Sequence, residues 1–121
     1  MWFRRDLRVN DHPALLAAGE VGPVYPLFVF DPVLWDKAGP IRGQYLLDSL
    51  ASLNESLGGH LTIRIGPPAD VVPEFAREVA AESVHISADY GPYGSRRDAT
   101  VAETLSVPLV ATGSPYAIAP G

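Results

Sequence analysis

The sequence predicts an α/β fold: a Rossmann-like sheet of five parallel strands with helices on both faces. Short apolar runs alternate along the chain with segments of helical period, which is the pattern of βαβ units. One of these runs, residues 24–30, is apolar almost without interruption, as in a strand that helices cover on both sides. A chain of 121 residues that is 47% hydrophobic can bury a sizeable core, so residues 1–121 are predicted to form one domain.

The first strand and helix are predicted to be short. Residues 1–3 form the strand, whereas strands usually run to ~5–6 residues. Asp11 is the expected N-cap of the helix, because its carboxylate can accept from the free amides of the first turn. Leu15 and Leu16 form the apolar face, and Gly19 ends the helix. The short first strand and the abrupt end both suggest a fragment of a longer protein.

The second strand is predicted over residues 24–30, with pairing that begins late because Pro26 cannot donate to the ladder. The longest helix is predicted over residues 41–57, after a loop, and Gly58 and Gly59 stop it. Four leucines at steps of four, three and four mark its buried face: Leu46, Leu50, Leu53 and Leu57.

The second half of the chain continues the alternation. Residues 61–65 alternate in polarity, which indicates a strand near a sheet edge. Asp70 is the expected N-cap of the third helix, and residues 84–88 form the fourth strand. Residues 108–112 form the fifth strand.

The fourth helix is predicted from a capping box at residues 95–98. In a capping box the side chains of the first turn bond to free backbone amides. Ser95, Arg97 and Asp98 are therefore assigned to the start of the helix and not to chemistry.

Composition excludes several kinds of function. Because there is no cysteine, the chain has no disulfide, thiolate nucleophile or iron–sulfur site. The three histidines show no metal-ligand spacing and are assigned to capping, loop or strand positions: His12, His60 and His85. A net charge of −5 argues against strong binding of a nucleic-acid backbone by this segment alone. The absence of a charged leader and of a long apolar run predicts a cytoplasmic protein without a membrane segment.

Charged and aromatic side chains follow the predicted strands at their carboxyl ends. Arg4 and Arg5 follow the first strand, Asp31 follows the second, residues 89–93 follow the fourth, and Arg42 opens the long helix at the same rim. In an open parallel sheet the ligand crevice lies outside these ends. Guanidinium groups that stack, and carboxylates that accept ring N–H bonds, suit a flat polar aromatic ligand.

Other interpretations of this rim stay open. The arginines can pair with neighbouring aspartates and only fix the turn from strand to helix. Arg5 and Asp89 can clamp adjacent strand ends as an ion pair, while Arg42 solvates its helix. No Ser-His-Asp arrangement can be placed, and no glycine-rich phosphate loop follows the first strand. We therefore predict no catalytic residue and no metal site.

Four motifs stand in register along the chain. They are Trp2-Phe3-Arg4-Arg5-Asp6-Leu7-Arg8 with Asn10-Asp11-His12-Pro13-Ala14-Leu15, then Pro26-Leu27-Phe28-Val29-Phe30-Asp31-Pro32, then Arg42 before Leu46-Leu47-Asp48-Ser49-Leu50, and Asp89 with Pro92-Tyr93 and Arg97-Asp98. Together they resemble the N-terminal α/β domain of the photolyase/cryptochrome family, and bacterial cyclobutane-pyrimidine-dimer photolyases above all. The resemblance covers the whole chain.

The resemblance implies a strand order of 3-2-1-4-5 and a role in light harvesting. In this family the domain holds an antenna chromophore and passes excitation to reduced FAD in a separate helical domain. That domain would follow Gly121 and would carry both the FAD and the surface for damaged DNA. The parent protein is then expected to be a deoxyribodipyrimidine photo-lyase that repairs UV-induced pyrimidine dimers, and this fragment alone is not expected to be catalytic.

The site residues are carried over from the resemblance one at a time. Members that bind a deazaflavin place residues that match Arg5, Arg42 and Asp89 around their chromophore. Asp31 and Tyr93 line the same rim. Folate-binding members use an adjacent asparagine–glutamate pair where this sequence has Tyr93 and a glycine. The resemblance therefore favours a chromophore of the 8-hydroxy-5-deazaflavin type over a folate.

Three alternatives to a photolyase antenna domain remain. The first is the domain of a cryptochrome-type photoreceptor, since the residues that separate the two classes would lie in the helical domain. The second is a stand-alone nucleotide-binding module of the same architecture, although Gly91 and Gly94 offer only a fragment of a phosphate loop. The third is a scaffold domain that packs against a helical partner through an exposed apolar face.

Overall fold

The computed structural model describes residues 1–113, and for residues 32–42 it describes the backbone but not the side chains. The described chain alternates five strands and four helices. In chain order these are β1 (Trp2–Phe3), α1 (Pro13–Val21), β2 (Leu27–Phe30), α2 (Pro32–Ser56), β3 (Thr62–Ile65), α3 (Pro68–Glu78), β4 (Val84–Ser87), α4 (Pro92–Thr104) and β5 (Leu109–Thr112). The predicted α/β class is confirmed.

The strands form two parallel ladders. β1 pairs with β2 and β2 with β3, while β4 pairs with β5. β1 also packs beside β4, but no backbone ladder joins these two strands within the described part of the chain. The predicted order 3-2-1-4-5 is therefore present as two ladders, 3-2-1 and 4-5, that meet at β1 and β4. β3 is an edge strand, as its alternating sequence predicts.

Side chains join the two ladders where the backbone does not. We call this junction the seam; it consists of Arg4, Asp6, Ser87 and Asp98. The Arg4 guanidinium donates to the carbonyl oxygen of Ser87 and to Asp98 Oδ1, and Ser87 Oγ donates to Asp6 Oδ2 at 2.6 Å. Because β1 has only two residues, the chain leaves the sheet at Arg4 and places these polar groups beside the end of β4.

Two hydrophobic cores lie on opposite faces of the sheet. Trp2 belongs to the core that α3 and α4 cover, with Val72, Phe75 and Val101 as partners. Phe3 belongs to the core that α1 and α2 cover, together with members that include Ala14, Ala18 and Leu53. Adjacent residues of a strand point to opposite faces, so β1 contributes one aromatic side chain to each core. Helices on both faces are thus confirmed.

The start of α1 differs from the prediction. His12, not Asp11, is the N-cap, because its Nδ1 accepts from the Leu15 amide at 3.1 Å. Asp11 adopts a left-handed backbone with φ of 51°, a conformation that aspartate tolerates better than most residues. The prediction relied on the general preference for aspartate at N-caps, whereas the tight turn before the helix brings the imidazole to the free amides.

The buried face and the end of α1 also differ from the prediction. Ala14 and Ala18 are buried in the core and Leu15 packs against it partly buried, as predicted for Leu15, while Leu16 is 69% exposed. The helix continues through Gly19 to Val21, and Gly22 ends it. Small residues face inward because α1 lies close to the strands that it covers.

The structure extends α2 and confirms its leucine stripe. The helix begins at Pro32, before the predicted start at residue 41, and proline suits a first helical position because it needs no amide partner there. Leu50 and Leu53 are each 2% exposed. Gly58 and Gly59 follow the helix with φ of 68° and 84°, which confirms them as its stop.

The predicted caps of α3 and α4 are wrong. α3 has Pro67 at its N-cap without a side-chain hydrogen bond, and Asp70 lies in the first turn instead. α4 begins at Pro92 with Gly91 as its N-cap, so residues 95–98 lie inside the helix and form no capping box. Proline at the first helical position carried a stronger signal than the polar residues that follow it.

Candidate functional site

A cavity opens at the carboxyl ends of β1 and β2, next to the first turn of α4. Its volume is about 370 Å³, within the size range of small-molecule sites, ~300–1,000 Å³. Apolar side chains from the strands and the flanking segments form much of its lining: Trp2, Phe28, Val29, Phe30, Leu46, Pro68 and Pro92. Charged and hydroxyl groups complete it: Arg4, Arg5, Asp31, Asp89, Tyr93 and Arg97.

Four of the five predicted site residues line this one cavity. Arg5, Asp31, Asp89 and Tyr93 come from different parts of the sequence, and the sheet topology brings them together. The fifth, Arg42, has a side chain outside the described residues. The structure therefore assembles most of the predicted set at the predicted edge of the sheet, and the binding role of each residue stays a prediction.

Asp89 folds back over the start of α4. Its Oδ1 accepts from the Gly91 amide at 3.0 Å, and its Oδ2 lies 3.4 Å from Arg97 Nη2. A Cβ atom on Gly94 would lie 2.0 Å from Oδ2, so only glycine at position 94 allows this carboxylate position. The ion pair considered between Arg5 and Asp89 does not form among the described residues; Arg97 takes that place.

Two residues that the sequence assigned to capping form one wall of the cavity, Arg97 as part of its lining and Asp98 as the support behind it. Asp98 Oδ1 accepts from Arg4 Nη1 at 2.6 Å and from Arg97 Nε at 3.1 Å. The two arginines hold their guanidinium carbons 4.8 Å and 5.5 Å from the ring centroid of Trp2. Contacts of this kind between a cation and an aromatic ring are attractive. Arg97 therefore lines the cavity, and Asp98 holds Arg4 and Arg97 in place from behind the lining.

Pro92 was the signal that could have identified this wall. If α4 is started at Pro92, Tyr93 and Arg97 are four residues apart on one helical face. The structure places the Arg97 guanidinium carbon 6.0 Å from the Tyr93 ring centroid. Gly94 and Asp98 are also four residues apart. Gly94, which lies against Asp89, and Asp98, which pairs with Arg4, are therefore close together near the start of the helix.

Asp6 is the acceptor at the centre of the seam. Its Oδ1 accepts from the Arg4 amide at 2.9 Å, and its Oδ2 accepts from Ser87 Oγ and lies 2.7 Å from His12 Nε2. Burial raises the pKa of Asp6, but the hydrogen bonds from His12, Ser87 and the Arg4 amide outweigh burial and hold this pKa well below its usual range. Asp6 is therefore an ionised structural group.

The Ser87, Asp6 and His12 cluster is not a nucleophilic triad. In such a triad the histidine lies between the serine and the aspartate and takes the serine proton. Here the aspartate lies in the middle and contacts both other side chains. The alternative in which the arginines pair with Asp6 and Asp11 is not confirmed, because the Arg4 guanidinium pairs with Asp98 instead. Backbone groups take part in both contacts that fix the turn: Asp6 accepts from the Arg4 amide, and Arg8 donates to the Asp11 carbonyl oxygen.

A second cavity, of about 290 Å³, lies at the amino ends of β2 and β4. His85 lines it and is buried; its Nε2 lies 2.9 Å from Ser83 Oγ. Burial lowers the pKa of His85, which keeps the ring neutral. This cavity lies at the opposite edge of the sheet from the predicted site residues.

The described residues contain neither a metal-binding cluster nor a membrane-spanning helix. No group of three histidine, cysteine or acidic side chains is placed to hold a metal ion. No described helix is both long and apolar enough to cross a membrane.

The chain is an α/β domain with a cavity at the carboxyl edge of its sheet. The sequence model of the DNA photolyase family matches residues 1–121, and the chain belongs to this family. It is 42% identical over 123 residues to a deoxyribodipyrimidine photo-lyase of Thermus thermophilus, covering 99% of this chain and 29% of the relative. It is also 38% identical over 118 residues to a cryptochrome DASH of Natronomonas pharaonis, covering 87% and 24%.

A solved structure gives the same result. The crystal structure of a bacterial class III photolyase from Agrobacterium tumefaciens matches with a TM-score of 0.73 and 34% identity, over 91% of this chain and 24% of the other. The chain thus spans about a quarter to a third of the length of these relatives. The resemblance to the photolyase/cryptochrome family is confirmed.

Proposed function

We propose that this chain is the antenna-binding domain of a DNA photolyase, and that its carboxyl-edge cavity holds the antenna chromophore. The observation that carries the proposal is the meeting of Arg5, Asp31, Asp89 and Tyr93 around one cavity. In the whole protein, a C-terminal helical domain would hold reduced FAD and contact damaged DNA. That protein would repair UV-induced pyrimidine dimers in the cytoplasm with light, and this domain would contribute no catalytic residue of its own.

The chemistry of the cavity suits a planar ring system. An apolar lining that includes Trp2 and Phe28 can contact the faces of the rings, and guanidinium groups can stack on them. Asp89 can accept a hydrogen bond from a ring N–H or hydroxyl group, since its side chain is about one-third exposed toward solvent. The lining contains two carboxylates, which accept hydrogen bonds, and three guanidinium groups, which donate them. The ligand can therefore carry both donors and acceptors.

A deazaflavin suits this site better than a folate. Folate-binding members of the family use an adjacent asparagine–glutamate pair at the positions where this chain has Tyr93 and Gly94. In this chain the Asp89 carboxylate fills the space into which a side chain at position 94 would project. An acidic residue at position 94 and the observed position of Asp89 therefore exclude each other.

The residues of this chain would bind and orient the chromophore. When bound, the chromophore would supply absorption of near-visible light. Asp89 would fix the polar edge of the ring, and Arg5 would cover it from the exposed side. Phe28 and Phe30, whose rings meet edge to face at 5.1 Å, would keep water away from the ring faces.

The first experiment is an absorption and fluorescence titration of the purified chain with 8-hydroxy-5-deazaflavin and, separately, with a reduced folate. We expect saturable binding of the deazaflavin with a shift of its near-visible band, and weaker binding of the folate. Absence of binding by both would remove the antenna assignment.

Substitution of Asp89 tests the site itself. Asp89→Asn should weaken deazaflavin binding by about tenfold, the equivalent of one hydrogen bond to a charged group. Arg42→Ala should also weaken it. Asp11→Asn is the matched control, because Asp11 is exposed, lies outside the cavity, and asparagine also tolerates its left-handed backbone. Equal affinity of Asp89→Asn and the control would place the ligand elsewhere.

A cryptochrome-type photoreceptor is the second candidate, because the chain also matches a cryptochrome DASH. The two functions differ in the DNA chemistry of the helical domain and not in the antenna cavity. A photorepair assay on the full-length protein separates them. Repair of cyclobutane dimers supports the photolyase, and binding of the chromophore without repair supports the photoreceptor.

A nucleotide-binding module and a scaffold are separated from the antenna by two simple measurements. ATP binding in the same titration would support the module. A scaffold would present apolar side chains to a partner, and Tyr45, Ile63 and Ile65 are exposed here. Concentration-dependent association without chromophore binding would favour that role.

A further inference from the structure

Trp2 lies between the core and the carboxyl-edge cavity. Its side chain is only 1% exposed, yet it contributes to the lining of the cavity. The guanidinium carbons of Arg4 and Arg97 lie 4.8 Å and 5.5 Å from the centre of its ring. A ligand in this cavity would therefore have an indole within a few ångströms, with two cations held against that indole.

An indole this close to an excited chromophore can quench it, so that the absorbed energy is not passed on. Indole is among the most easily oxidised side chains, and an excited flavin-type ring readily accepts an electron. Trp2 would lose one electron and become a radical cation, while the chromophore would gain that electron. The electron would then return, with no net oxidation, and the excitation would be released as heat. An antenna domain needs this route to be slow.

We propose that Arg4 and Arg97 suppress quenching of the bound chromophore by Trp2. The inference rests on the proposed antenna function. Loss of an electron would place a positive charge on the indole next to two guanidinium groups, and like charges at this distance in a partly buried site repel strongly. The oxidised indole is therefore raised in energy, and the excitation remains available for transfer.

The remaining charged groups near Trp2 are of both signs. Asp6 accepts from the Arg4 amide and Asp31 lines the cavity, so both add negative charge to the surroundings. These carboxylates stay in place in every variant compared below, so removal of a guanidinium group still makes oxidation of the indole easier.

Asp98 bonds to both arginines, and its single negative charge offsets only one of them. Asp89 lies 3.4 Å from Arg97 on the more exposed side, where solvent screens its charge. Arg5 adds a further positive charge to the cavity. The guanidinium groups are also the charges in direct contact with the ring.

The test is the fluorescence lifetime of 8-hydroxy-5-deazaflavin bound to variants of the chain. The decay of the bound molecules is resolved from that of the free molecules by its own lifetime, and this lifetime does not depend on affinity. Arg97→Gln should shorten the lifetime several-fold, because it removes one cation from the indole. Addition of Trp2→Phe to Arg97→Gln should restore the lifetime, because phenylalanine is too hard to oxidise. Arg64→Gln is the matched control: Arg64 lies 5.6 Å from the Phe75 ring centroid and is not part of the cavity lining.

The outcomes that would overturn the inference differ from the outcome that would refute the proposed function. An unchanged lifetime in Arg97→Gln, or equal shortening with and without Trp2, would overturn the inference. Trp2→Phe alone provides an independent check that leaves both arginines in place: it should change the lifetime little, and a marked lengthening would mean that Trp2 quenches in spite of the arginines. Failure of the unmodified chain to bind the deazaflavin would instead refute the proposed function, and the inference with it.

Discussion

At the scale of single residues, the carboxylate of Asp89 depends on a neighbour that has no side chain. Gly94 lies in the first turn of α4, where glycine has no advantage for helix formation. Its value is the space that it leaves, because a Cβ atom there would meet Asp89 Oδ2 at 2.0 Å. Gly94 is thus a positioning residue for the proposed site.

Gly94→Ala should separate binding from folding. Alanine favours the helix, and this offsets the bonds that the displaced Asp89 loses to the Gly91 amide and to Arg97, so we expect little change in thermal stability. Because Asp89 is displaced, the variant should bind 8-hydroxy-5-deazaflavin about tenfold more weakly than the unmodified chain. This is the loss expected for one hydrogen bond to a charged group. Gly19→Ala is the control, since it also lies in a helix and a Cβ there would meet nothing within 4 Å. Full affinity in Gly94→Ala would show that Asp89 does not contact the ligand from this position.

At the scale of elements, the spacing of apolar residues was the most reliable signal in the sequence. The leucine stripe of α2 identified its buried face, and the apolar run before Asp31 identified β2, because burial on a fixed face requires a regular period. The ends of helices were less predictable. His12 replaces the expected cap of α1, and α4 begins at Pro92, before the expected cap. A cap depends on the three-dimensional path of the chain into the helix and not only on residue type.

The buried face of α2 can be tested with one pair of substitutions. Leu53→Ala removes a side chain that is 2% exposed and should lower the free energy of unfolding by ~2–5 kcal/mol, through lost burial and the cavity that remains. Leu47→Ala removes the same atoms from the same helix at a position that is 48% exposed, and it should change stability by less than ~0.5 kcal/mol. Urea unfolding measures both values. Similar losses for the two variants would contradict the assigned face.

At the scale of the whole molecule, the position of the cavity was predicted from the sequence, but the contribution of Arg97 to its lining was not. The rule that ligands bind at the carboxyl ends of parallel strands located Arg5, Asp31, Asp89 and Tyr93 correctly around one cavity. The seam was not predicted, because its contacts join Arg4 to Asp98, 94 positions away in sequence. A periodicity argument reads neighbours along the chain and cannot detect such a pair.

The seam should make the stability of the whole domain depend on pH. Asp6→Asn should lower the free energy of unfolding at pH 7 by ~2–4 kcal/mol, because it removes a charged acceptor of three hydrogen-bonding groups. Asp48→Asn, on an exposed turn of α2, should cost little. The pKa of Asp6 is lower in the folded chain than its ordinary value of ~3.9, so its contribution is complete above that pH and is lost as the pH falls further.

Urea unfolding at pH 7 and at pH 3 checks this dependence. The difference between the unmodified chain and Asp6→Asn should be smaller at pH 3, because the unfolded chain then binds a proton that the folded chain excludes. A difference of equal size at both pH values would mean that the ionisation of Asp6 does not stabilise the seam.

The seam also orders the events of folding. Within each ladder, neighbouring strands are connected by a single helix. The contact between Arg4 and Asp98 instead joins residues that are 94 positions apart, and contacts of such long range are slow to form. The two ladders are therefore expected to assemble first and to dock last. The cavity has walls from both ladders, so it would exist only after docking, and a chromophore that binds there would trap the finished domain and report the completion of folding.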